Sequence, residues 1–379
     1  MAAARLCVLH AYKTYLPETE GGIPAAIRSL AAMPECESLV LATRAPLAPR
    51  RILVDGVPVE RAAAFGEALS LPLAPLFPLA LRRAAQRADV IALHTPFPLG
   101  DLGALLAPGV PLVVHWHADI VRQRRAARLV APLIRRTLAR AARIVVSHPG
   151  IVADSPWLAQ FAAKCDVVPY GVDAEAWAAL TPGEAEEAAS LRARHPRLVA
   201  ALGRLVPYKG FDVLVEAMAS VDGTVMIVGE GPERARLSAR IAALGLGGRV
   251  LLAGRRPRSS VRALLHAARA FAFPSVSPAE AFGIAQLEAM ACGLPVVNTA
   301  LPTAVPWVAR DGAEALTVAP GDPAALAAAL TALLDDPERA AALGTAGRAR
   351  VRAEFTEAAY RERTRQIWRD AAASRPPAA

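Results

Sequence analysis

The chain has 379 residues, of which 54% are hydrophobic and 20% are charged. A single hydrophobic core stops growing at roughly 250–300 residues, so the length predicts two domains, and the composition excludes the disordered and fibrous classes. The formal net charge of +9 indicates an anionic partner, which charge alone does not identify. The four cysteines have no C-x-x-C spacing, so we expect a reducing cytoplasm and neither a zinc site nor a disulfide framework.

Short apolar runs alternate with helical patterns along the chain, which predicts an α/β fold with parallel sheets. In the first half the predicted strands are 5–10, 38–42, 51–60, 90–93, 112–115, 143–146 and 166–168, and the predicted helices are 23–32, 78–87 and 120–141. In the second half the predicted strands are 197–202, 224–228, 249–252, 270–273, 295–297 and 315–318, followed by helices 324–334, 337–349 and 356–372. The polar stretch 174–196 is the predicted linker, and no apolar run reaches the about 18 residues of a membrane span.

Ligand sites in open α/β sheets lie at the carboxyl ends of strands, where helix N-termini offer unpaired N–H groups. After the first strand, Gly21 and Gly22 stand directly before an apolar helix. Such a pair either lets a ligand approach the backbone closely or serves a loop that needs positive φ angles, and both interpretations remain open. Segment 228–233 (VGEGPE) lacks the third glycine of G-x-G-x-x-G, which disfavours an NAD site.

Two cations follow the predicted strand 197–202. Arg204 and Lys209 lie five residues apart across a turn that contains Pro207, so both could converge on one diphosphate. Lys209 is one of only three lysines in a chain with 40 arginines, which makes an undirected surface lysine improbable there. The alternative is a solvated pair on a loop.

Two carboxylates bracket the start of a later helix. Glu288 lies eight residues after Glu280, about two helical turns into the helix, so both carboxylates can face one side. The helix opens with backbone N–H groups that can hold phosphate oxygens, and Glu288 could accept hydrogen bonds from a ribose diol. The alternative is a first-turn partner of the helix dipole and a solvated charge. The N–H groups at the opening are those of Phe282, Gly283 and Ile284.

The segment HWHAD ends a valine-rich strand. His115, His117 and Asp119 share a side if the segment is extended, and spacing does not select between the two histidines. Trp116 is expected in the core. The remaining histidines have no metal-like pairing and no D-x-D motif occurs, so we expect chemistry without a metal ion.

The net charge is concentrated in one segment. Residues 120–153 contain eight arginines and no acidic residue, which leaves +1 for the rest of the chain. On an ideal helix the arginines occupy one face, and apolar residues lie opposite. This stripe is either a solvated face or a surface for anionic lipid or a pyrophosphate-linked acceptor. The predicted acceptor or membrane face comprises Arg122, Arg124, Arg125 and Arg128.

Six motifs in this order resemble the retaining glycosyltransferases of family 4, which have the GT-B fold. The likeness extends from Leu6 to about Tyr360, and the segments HWHADIVRQRR and LPTAVPWV narrow it to bacterial polysaccharide-assembly mannosyl- and rhamnosyltransferases. The six motifs are EGGI, HWHADIVRQ, VPYGVD, GRLVPYKGFDVL, VGEGPE and EAFGIAQLEAMACGLPVV.

The resemblance implies two Rossmann-like domains that face each other across a cleft. Residues 1–170 would form the acceptor domain, residues 171–355 the nucleotide-sugar donor domain, and a C-terminal helix of about 356–379 would cross back to the acceptor domain. The resemblance also assigns roles to single residues. Arg204 and Lys209 would grip the donor diphosphate and act in catalysis, His117 rather than His115 would hydrogen-bond the donor sugar, Glu280 would lie beside that sugar, Glu288 would bind the ribose, and Gly22, Phe282, Gly283 and Ile284 would contact the donor through their backbone.

The implied function is metal-independent transfer of a hexose, with mannose or rhamnose favoured, to a lipid-linked or polysaccharide acceptor. The donor would be a nucleoside-diphosphate sugar, GDP favoured over UDP, bound as a substrate with no cofactor. We expect a cytoplasmic protein, peripheral at the inner face of the cytoplasmic membrane, and no nucleic-acid partner, because only 5% of residues are aromatic. The alternatives are a GT-B sugar-nucleotide epimerase and a non-catalytic nucleotide-sugar-binding or membrane scaffold protein.

Overall fold

A computed structural model describes residues 5–19, 21–68, 71–119 and 124–374. The chain divides into two compact units. The N-terminal domain comprises Met1–Pro169 and Tyr360–Ala379, and the C-terminal domain comprises Tyr170–Ala359. The sequence predicted boundaries after residues 170 and 355.

The described residues form sixteen strands, fifteen α-helices and two short 3-10 helices, Ala159–Lys164 and Pro207–Lys209. The strands are β1 (Leu6–Ala11), β2 (Cys36–Arg44), β3 (Arg51–Val54), β4 (Val57–Ala63), β5 (Glu67–Ala68), β6 (Leu71–Pro72), β7 (Val90–Thr95), β8 (Leu112–Trp116), β9 (Arg143–Val146), β10 (Cys165–Val167), β11 (Leu198–Leu202), β12 (Thr224–Val228), β13 (Val250–Gly254), β14 (Ala270–Ala272), β15 (Val296–Thr299) and β16 (Ala315–Val318). The helices are α1 (Gly22–Ala31), α2 (Phe77–Ala85), α3 (Pro98–Leu105), α4 (Arg124–Arg140), α5 (Gly150–Asp154), α6 (Ala174–Ala178), α7 (Pro182–Arg194), α8 (Phe211–Ala217), α9 (Arg234–Ala243), α10 (Arg258–Ala267), α11 (Ile284–Ala291), α12 (Val305–Val308), α13 (Pro323–Asp335), α14 (Pro337–Glu354) and α15 (Glu357–Ala373).

The N-terminal domain is built on an eight-stranded sheet with the order β10-β9-β8-β7-β1-β2-β4-β3. Every pair is parallel except β3 with β4. The central strands β7 and β8 are buried along their whole length, as expected when helices cover both faces of a parallel sheet. Leu93, Val114 and Ile144 on adjacent strands belong to the core cluster.

The C-terminal domain contains a six-stranded, wholly parallel sheet with the order β13-β12-β11-β14-β15-β16. This is the doubly wound order, and its direction reverses between β11 and β14. Ligands of such sheets bind beyond the carboxyl ends of the strands at the reversal. The loops after β11 and β14 are therefore the first place to search for a site.

The end of the chain returns to the N-terminal domain. The boundary between the two domains falls inside α15. The first residues of this helix belong to the C-terminal domain, and Tyr360 and the residues after it belong to the N-terminal domain. Trp368 is fully buried, and its indole N–H donates a hydrogen bond of 3.2 Å to Nε2 of His115. Arg361 donates to Ser29 in α1. None of the helices in the described part of the chain is long and apolar enough to span a membrane.

Two predictions about local structure were wrong. The predicted strand 51–60 is two antiparallel strands, because Asp55 and Gly56 both adopt positive φ angles of 49° and 80° and form a tight turn. The predicted linker 174–196 contains α6 and α7, and Thr181 with Glu184 forms a capping box at the start of α7. The predicted helix 120–141 is described as α4 from Arg124 onward, and residues 120–123 lie outside the described residues.

Candidate active site

The loops after β11 and β14 touch each other at the reversal of the C-terminal sheet. Gly210 has a φ of 65°, and a Cβ atom there would collide with the Pro274 carbonyl oxygen and lie 2.9 Å from the Val276 side chain. Val276 donates its backbone N–H to the Tyr208 carbonyl oxygen over 2.9 Å. Glycine is therefore required where the two loops meet.

Lys209 forms a nearly buried ion pair with Glu280, which joins the two loops. The side chains are only 13% and 10% exposed. Ser275 Oγ donates to the same Glu280 oxygen over 3.3 Å, and the Lys209 ammonium lies 4.9 Å from the centre of the Phe273 ring. Burial alone would lower the pKa of Lys209, but Glu280, Tyr208 and Glu288 together raise it above its ordinary value. The lysine is therefore a fixed cation.

Arg204 lies on the same loop as Lys209, with its side chain exposed to solvent. It forms no ion pair with any described residue, so the predicted pair of cations consists of one fixed and one exposed group. The loop that carries Arg204 is held by the loop after β12. The backbone N–H of Leu205 donates to the Glu230 carbonyl oxygen, and the backbone N–H of Glu233 donates to the Leu205 carbonyl oxygen.

Gly231 explains why the segment after β12 contains glycines without being a dinucleotide fingerprint. An added Cβ atom at Gly231 would collide with the backbone of Leu205. The lack of a third glycine does not predict this role, although two glycines directly after a strand already signal a close backbone approach.

Glu288 is partly buried in the second turn of α11. Burial raises the pKa of Glu288 to about 7, although Arg258 and Lys209 act in the opposite direction. At neutral pH the carboxyl group is therefore divided between its charged and neutral forms. Lys209 pairs with Glu280 and lowers the pKa of Glu288, as expected if the two carboxylates face the same side.

The N-terminus of α11 follows Gly283, whose φ of 85° is left-handed. A Cβ atom at Gly283 would lie 2.9 Å from the Phe273 ring. The first N–H groups of any helix lack intrahelical partners, so those near Ile284 are available to an anion. Phe282 can contribute only its backbone, because its ring is buried against Tyr170 with ring centres 4.9 Å apart.

In the N-terminal domain, His117 belongs to a row of buried histidines. His115 and His117 share one face of the sheet, as their spacing predicts, with ring centres 6.4 Å apart. His117 Nε2 lies 2.9 Å from His94 Nδ1, and His94 Nε2 lies 3.3 Å from His10 Nδ1. Burial lowers the pKa of His117 and His10 to about 3, and it lowers the pKa of His94 and His115 well below the ordinary value.

His10 and His94 have no assigned role in the sequence motifs. They are distant in sequence from the HWHAD segment, but each occupies the end of a strand adjacent to its neighbour's in the sheet. That shared position was the available signal. His115, by contrast, accepts a hydrogen bond from Trp368 and holds α15.

Asp119 is an anchor for its own loop. Its Oδ1 accepts hydrogen bonds from the Trp116 indole over 2.9 Å and from Ser155 Oγ over 2.8 Å. Trp116 is buried in the core, as predicted. These bonds fix the chain immediately after His117.

Gly22 is the first residue of α1, and Gly21 precedes it. A Cβ atom at Gly21 would meet no atom within 4 Å, so packing does not require glycine there. Glu20 lies outside the described residues.

The basic stripe is smaller than the sequence indicates. Arg140 donates to the Ala104, Ala107 and Val110 carbonyl oxygens, which caps α3. Arg143 forms an ion pair with Asp166. Two of the eight arginines therefore have structural roles. Arg122 and the side chains of Arg124 and Arg125 lie outside the described residues; the exposed members are Arg128, Arg135 and Arg136.

No group of three histidine, cysteine, aspartate or glutamate side chains within residues 5–19, 21–68, 71–119 and 124–374 has a metal-binding arrangement. The charged groups that the structure brings together are Lys209, Glu280 and Glu288, beside the N-terminus of α11. A fixed cation next to a helix N-terminus suits a phosphate-containing ligand.

Comparison with known proteins identifies the family. Residues 21–171 match the family described as glycosyl transferase 4-like domain, and residues 184–350 match that described as glycosyl transferases group 1. The D-rhamnosyltransferase WbpZ of Pseudomonas aeruginosa is 36% identical over 369 residues and covers 92% of each chain. The O-antigen chain mannosyltransferase C of Escherichia coli is 30% identical and covers 92% of this chain and 94% of its own.

A solved structure agrees in fold. Sucrose-phosphate synthase from Thermosynechococcus elongatus superposes with a TM-score of 0.82 over 98% of this chain and 100% of its own, at 23% identity. This likeness confirms the predicted GT-B fold class. The family matches favour sugar transfer over the epimerase and scaffold alternatives. The chain therefore belongs to family 4 of the glycosyltransferases and is a hexosyltransferase.

Proposed function

We propose that the chain transfers mannose or rhamnose, with retention of configuration and without a metal ion, from a nucleoside-diphosphate sugar to a lipid-linked or polysaccharide acceptor. A GDP-sugar is favoured over a UDP-sugar. The names of the relatives, a D-rhamnosyltransferase and an O-antigen chain mannosyltransferase, support these sugars and this acceptor class. In this proposal the C-terminal domain binds the donor and the N-terminal domain binds the acceptor.

The observation that carries the proposal is the buried Lys209–Glu280 pair at the sheet reversal. Departure of a nucleoside diphosphate develops negative charge, and a cation already fixed beside a helix N-terminus needs little reorganisation to stabilise it. Arg204, exposed on the same loop, would close on the diphosphate when the donor binds. These groups supply the positive charge that other transferases obtain from a metal ion.

The remaining residues orient the donor. Glu280 holds Lys209 in place and would lie beside the transferred sugar. The ionised carboxylate of Glu288 would accept hydrogen bonds from the ribose diol, and the N–H groups of Phe282, Gly283 and Ile284 would receive phosphate oxygens. Gly22 would bring backbone close to the diphosphate, and His117 would hydrogen-bond the sugar.

A transfer assay with GDP-mannose and a polyprenyl-diphosphate-linked sugar tests the proposal. Lys209→Ala should lower kcat by about 10²- to 10³-fold, because one group that stabilises the developing charge is lost. Breaking a buried pair also destabilises the fold, so thermal midpoints must accompany the rates. Lys164→Ala is the matched control, since Lys164 caps α4 in the N-terminal domain.

The same assay also tests metal independence and retention of configuration. Activity should survive EDTA, and nuclear magnetic resonance of the product should show the anomeric configuration of the donor. Turnover by Lys209→Ala equal to that of Lys164→Ala would refute the diphosphate assignment. An inverted product would refute retention alone.

We also propose that α4 rests on the anionic inner face of the cytoplasmic membrane. Arg128, Arg135 and Arg136 are exposed on this helix, and Leu129 between them is 84% exposed. Exposed arginines attract anionic lipid, and an exposed leucine can enter the headgroup boundary. Leu102 in the neighbouring α3 and Leu106 directly after that helix are exposed as well.

A further inference from the structure

Gln286 and Asn298 form a buried amide pair in the C-terminal domain. Both side chains are fully buried, and Asn298 Nδ2 donates a hydrogen bond of 2.9 Å to Gln286 Oε1. Backbone carbonyl groups can only accept, so the amide atom that faces them is the nitrogen. Asn298 Nδ2 lies 2.8 Å from the Ala309 carbonyl oxygen, and Gln286 Nε2 lies 3.4 Å from that of Val305. These contacts fix the orientation of both amide groups.

The same pair holds the turn that precedes α11. Gln286 Nε2 also donates to the Phe282 carbonyl oxygen over 3.5 Å. An added Cβ atom at Gly283 would lie 2.7 Å from Gln286 Nε2, so the amide fills the space beside the glycine. A trans peptide group is planar, and its C=O and N–H bonds point in opposite directions. Because the Phe282 carbonyl group points toward the buried amide, the Gly283 N–H group points away from it.

A hydrogen bond from the start of α12 orients the preceding peptide group in the same manner. The backbone N–H of Ala304 donates to the Ala281 carbonyl oxygen over 3.1 Å, so the Phe282 N–H group points away from Ala304. Ala304 directly precedes Val305, whose carbonyl oxygen accepts hydrogen bonds from both amides of the buried pair. The pair therefore fixes two successive peptide groups, one directly and one through α12.

The glycine in this turn makes such support necessary. Gly283 has a φ of 85°, and glycine populates positive and negative φ angles about equally, so the peptide group before it can turn over at little steric cost. Turning over would exchange the directions of the Phe282 carbonyl group and the Gly283 N–H group. Apolar side chains of similar size would fill the same space, but they offer a carbonyl group no hydrogen bond.

We propose that Gln286 and Asn298 are positioning residues that keep the N–H groups of the turn before α11 directed toward the phosphate groups of the donor. These N–H groups are those of Phe282 and Gly283. The two amides act through the backbone and not through contact with the sugar. The inference rests on the proposed function only for the identity of the ligand, and it gives the LPTAVPWV segment, which contains Ala304, a role in donor binding.

Selective labelling isolates the peptide group between Phe282 and Gly283. Only two phenylalanine–glycine pairs occur in the chain, this one and Phe65–Gly66. The full chain labelled with carbonyl carbon-13 phenylalanine and nitrogen-15 glycine therefore gives two cross-peaks, each of which reports both ends of one peptide group. Phe65→Leu changes an exposed residue and removes the second cross-peak, which assigns the first. Saturation of the wild type with GDP, verified by calorimetry, should shift the Gly283 cross-peak.

Two substitutions remove the support from either side. Gln286→Met nearly keeps the size of the side chain and removes the amide, so the Gly283 cross-peak should move even without GDP. The affinity for GDP should fall by about tenfold, because a hydrogen bond to a charged phosphate is weakened. Asn298→Leu releases Gln286 and α12 from the other side, so we expect the same two changes, and this variant takes the place of Gln286→Met if the latter does not fold.

Leu237→Ala is the control for lost stability. Leu237 is buried in α9, between β12 and β13 at the other end of the sheet. A cavity there lowers the thermal midpoint without a change in the turn before α11. The Gly283 cross-peak and the affinity for GDP should therefore resemble those of the wild type.

Two results would overturn the inference. One is a Gly283 cross-peak that is identical in the wild type and in a folded amide variant. The other is a wild-type cross-peak that stays in place when calorimetry shows saturation with GDP. Absence of GDP binding by the wild type would instead contradict the proposed function. The two failures are distinguishable, because the comparison of the free proteins requires no nucleotide.

Discussion

Glu288 is the residue whose ionisation should control donor binding. Burial raises its pKa to about 7, and only the ionised carboxylate offers acceptors to both hydroxyls of a ribose diol. Donor affinity should therefore rise as the pH increases through 7 and fall below it. Calorimetric titration with a nucleoside diphosphate between pH 6 and 8 measures the effect.

Glu288→Gln should bind the nucleotide more weakly and with little dependence on pH, because the amide does not titrate. Glu216→Gln is a matched control, since Glu216 pairs with Arg240 on the exposed face of the same domain. Identical pH profiles for wild type and Glu288→Gln would exclude Glu288 as the titrating group.

For single residues, the sequence predicts contacts within and between recognisable motifs, but it does not predict contacts between residues that are far apart in the chain. Lys209, Glu280 and Glu288 belong to motifs placed by strand ends and helix starts, so their meeting could be predicted. His10 and His94 lie 84 positions apart, and only the order of the strands in the sheet brings them beside each other and beside His117. The roles of Arg140 and Arg143 depend on carbonyl and carboxylate partners that spacing does not indicate.

At the scale of elements, α4 is the helix whose exposed face predicts an interaction. Arg128→Ala, Arg135→Ala and Arg136→Ala combined should weaken sedimentation with phosphatidylglycerol vesicles by about 100-fold at low salt, since each arginine near an anionic surface contributes about 1 kcal/mol. High salt should weaken wild-type binding as well.

The matched control for α4 is a triple substitution on α9. Arg234→Ala, Arg236→Ala and Arg240→Ala change the net charge equally on an exposed helix of the other domain. Equal loss in both triple variants would show that net charge matters and that α4 does not. Absence of binding by wild type at every salt concentration would rule out the membrane proposal.

Elements were predictable where apolar periodicity was strong and less so where turn chemistry decided the outcome. The strands of both sheets were found from buried apolar runs. The Asp55–Gly56 pair is a hairpin turn signal, but the apolar residues on both sides of it indicate one continuous strand. The polarity of the stretch 174–196 predicts a linker, although its alanine and glutamate residues favour helix.

At the scale of the whole molecule, buried neutral histidines should make the N-terminal domain sensitive to acid. In the unfolded chain these histidines bind protons near pH 6.5, whereas in the folded domain their pKa is lowered by burial, for example to about 3 in His10 and to about 4 in His148. The unfolded state therefore binds more protons below pH 6.5, and the free energy of unfolding falls as the pH decreases. Five histidines of the N-terminal domain have a pKa lowered in this way: His10, His94, His115, His117 and His148.

Buried carboxyl groups act in the opposite direction but are fewer. Burial raises the pKa of Asp101 to about 7, so this group takes up a proton on folding and stabilises the domain as the pH falls from about 7 toward 4. Asp119 shifts the same way. In the C-terminal domain Glu288 acts in the same way, because burial raises its pKa to about 7. Each titrating group changes the free energy by about 1.4 kcal/mol per pH unit, so the five histidines outweigh these three carboxyl groups below pH 6.5.

Urea unfolding at pH 7.5, 6.5 and 5.5, followed by tryptophan fluorescence, should thus show a falling free energy of unfolding. In His10→Phe the free energy of unfolding should depend less steeply on pH below pH 6.5, because unfolding then takes up about one proton fewer. Stability that is constant across this range would contradict the burial of neutral imidazoles.

Calorimetric titration of GDP into wild type, Arg204→Ala, Lys209→Ala and Arg240→Ala tests the proposed donor site most directly. We propose that the loops at the reversal of the C-terminal sheet bind the diphosphate of the donor. Loss of a charge-assisted contact should weaken GDP binding by at least about tenfold in Arg204→Ala and in Lys209→Ala, and leave Arg240→Ala like wild type. Equal affinity of all four proteins would contradict the claim.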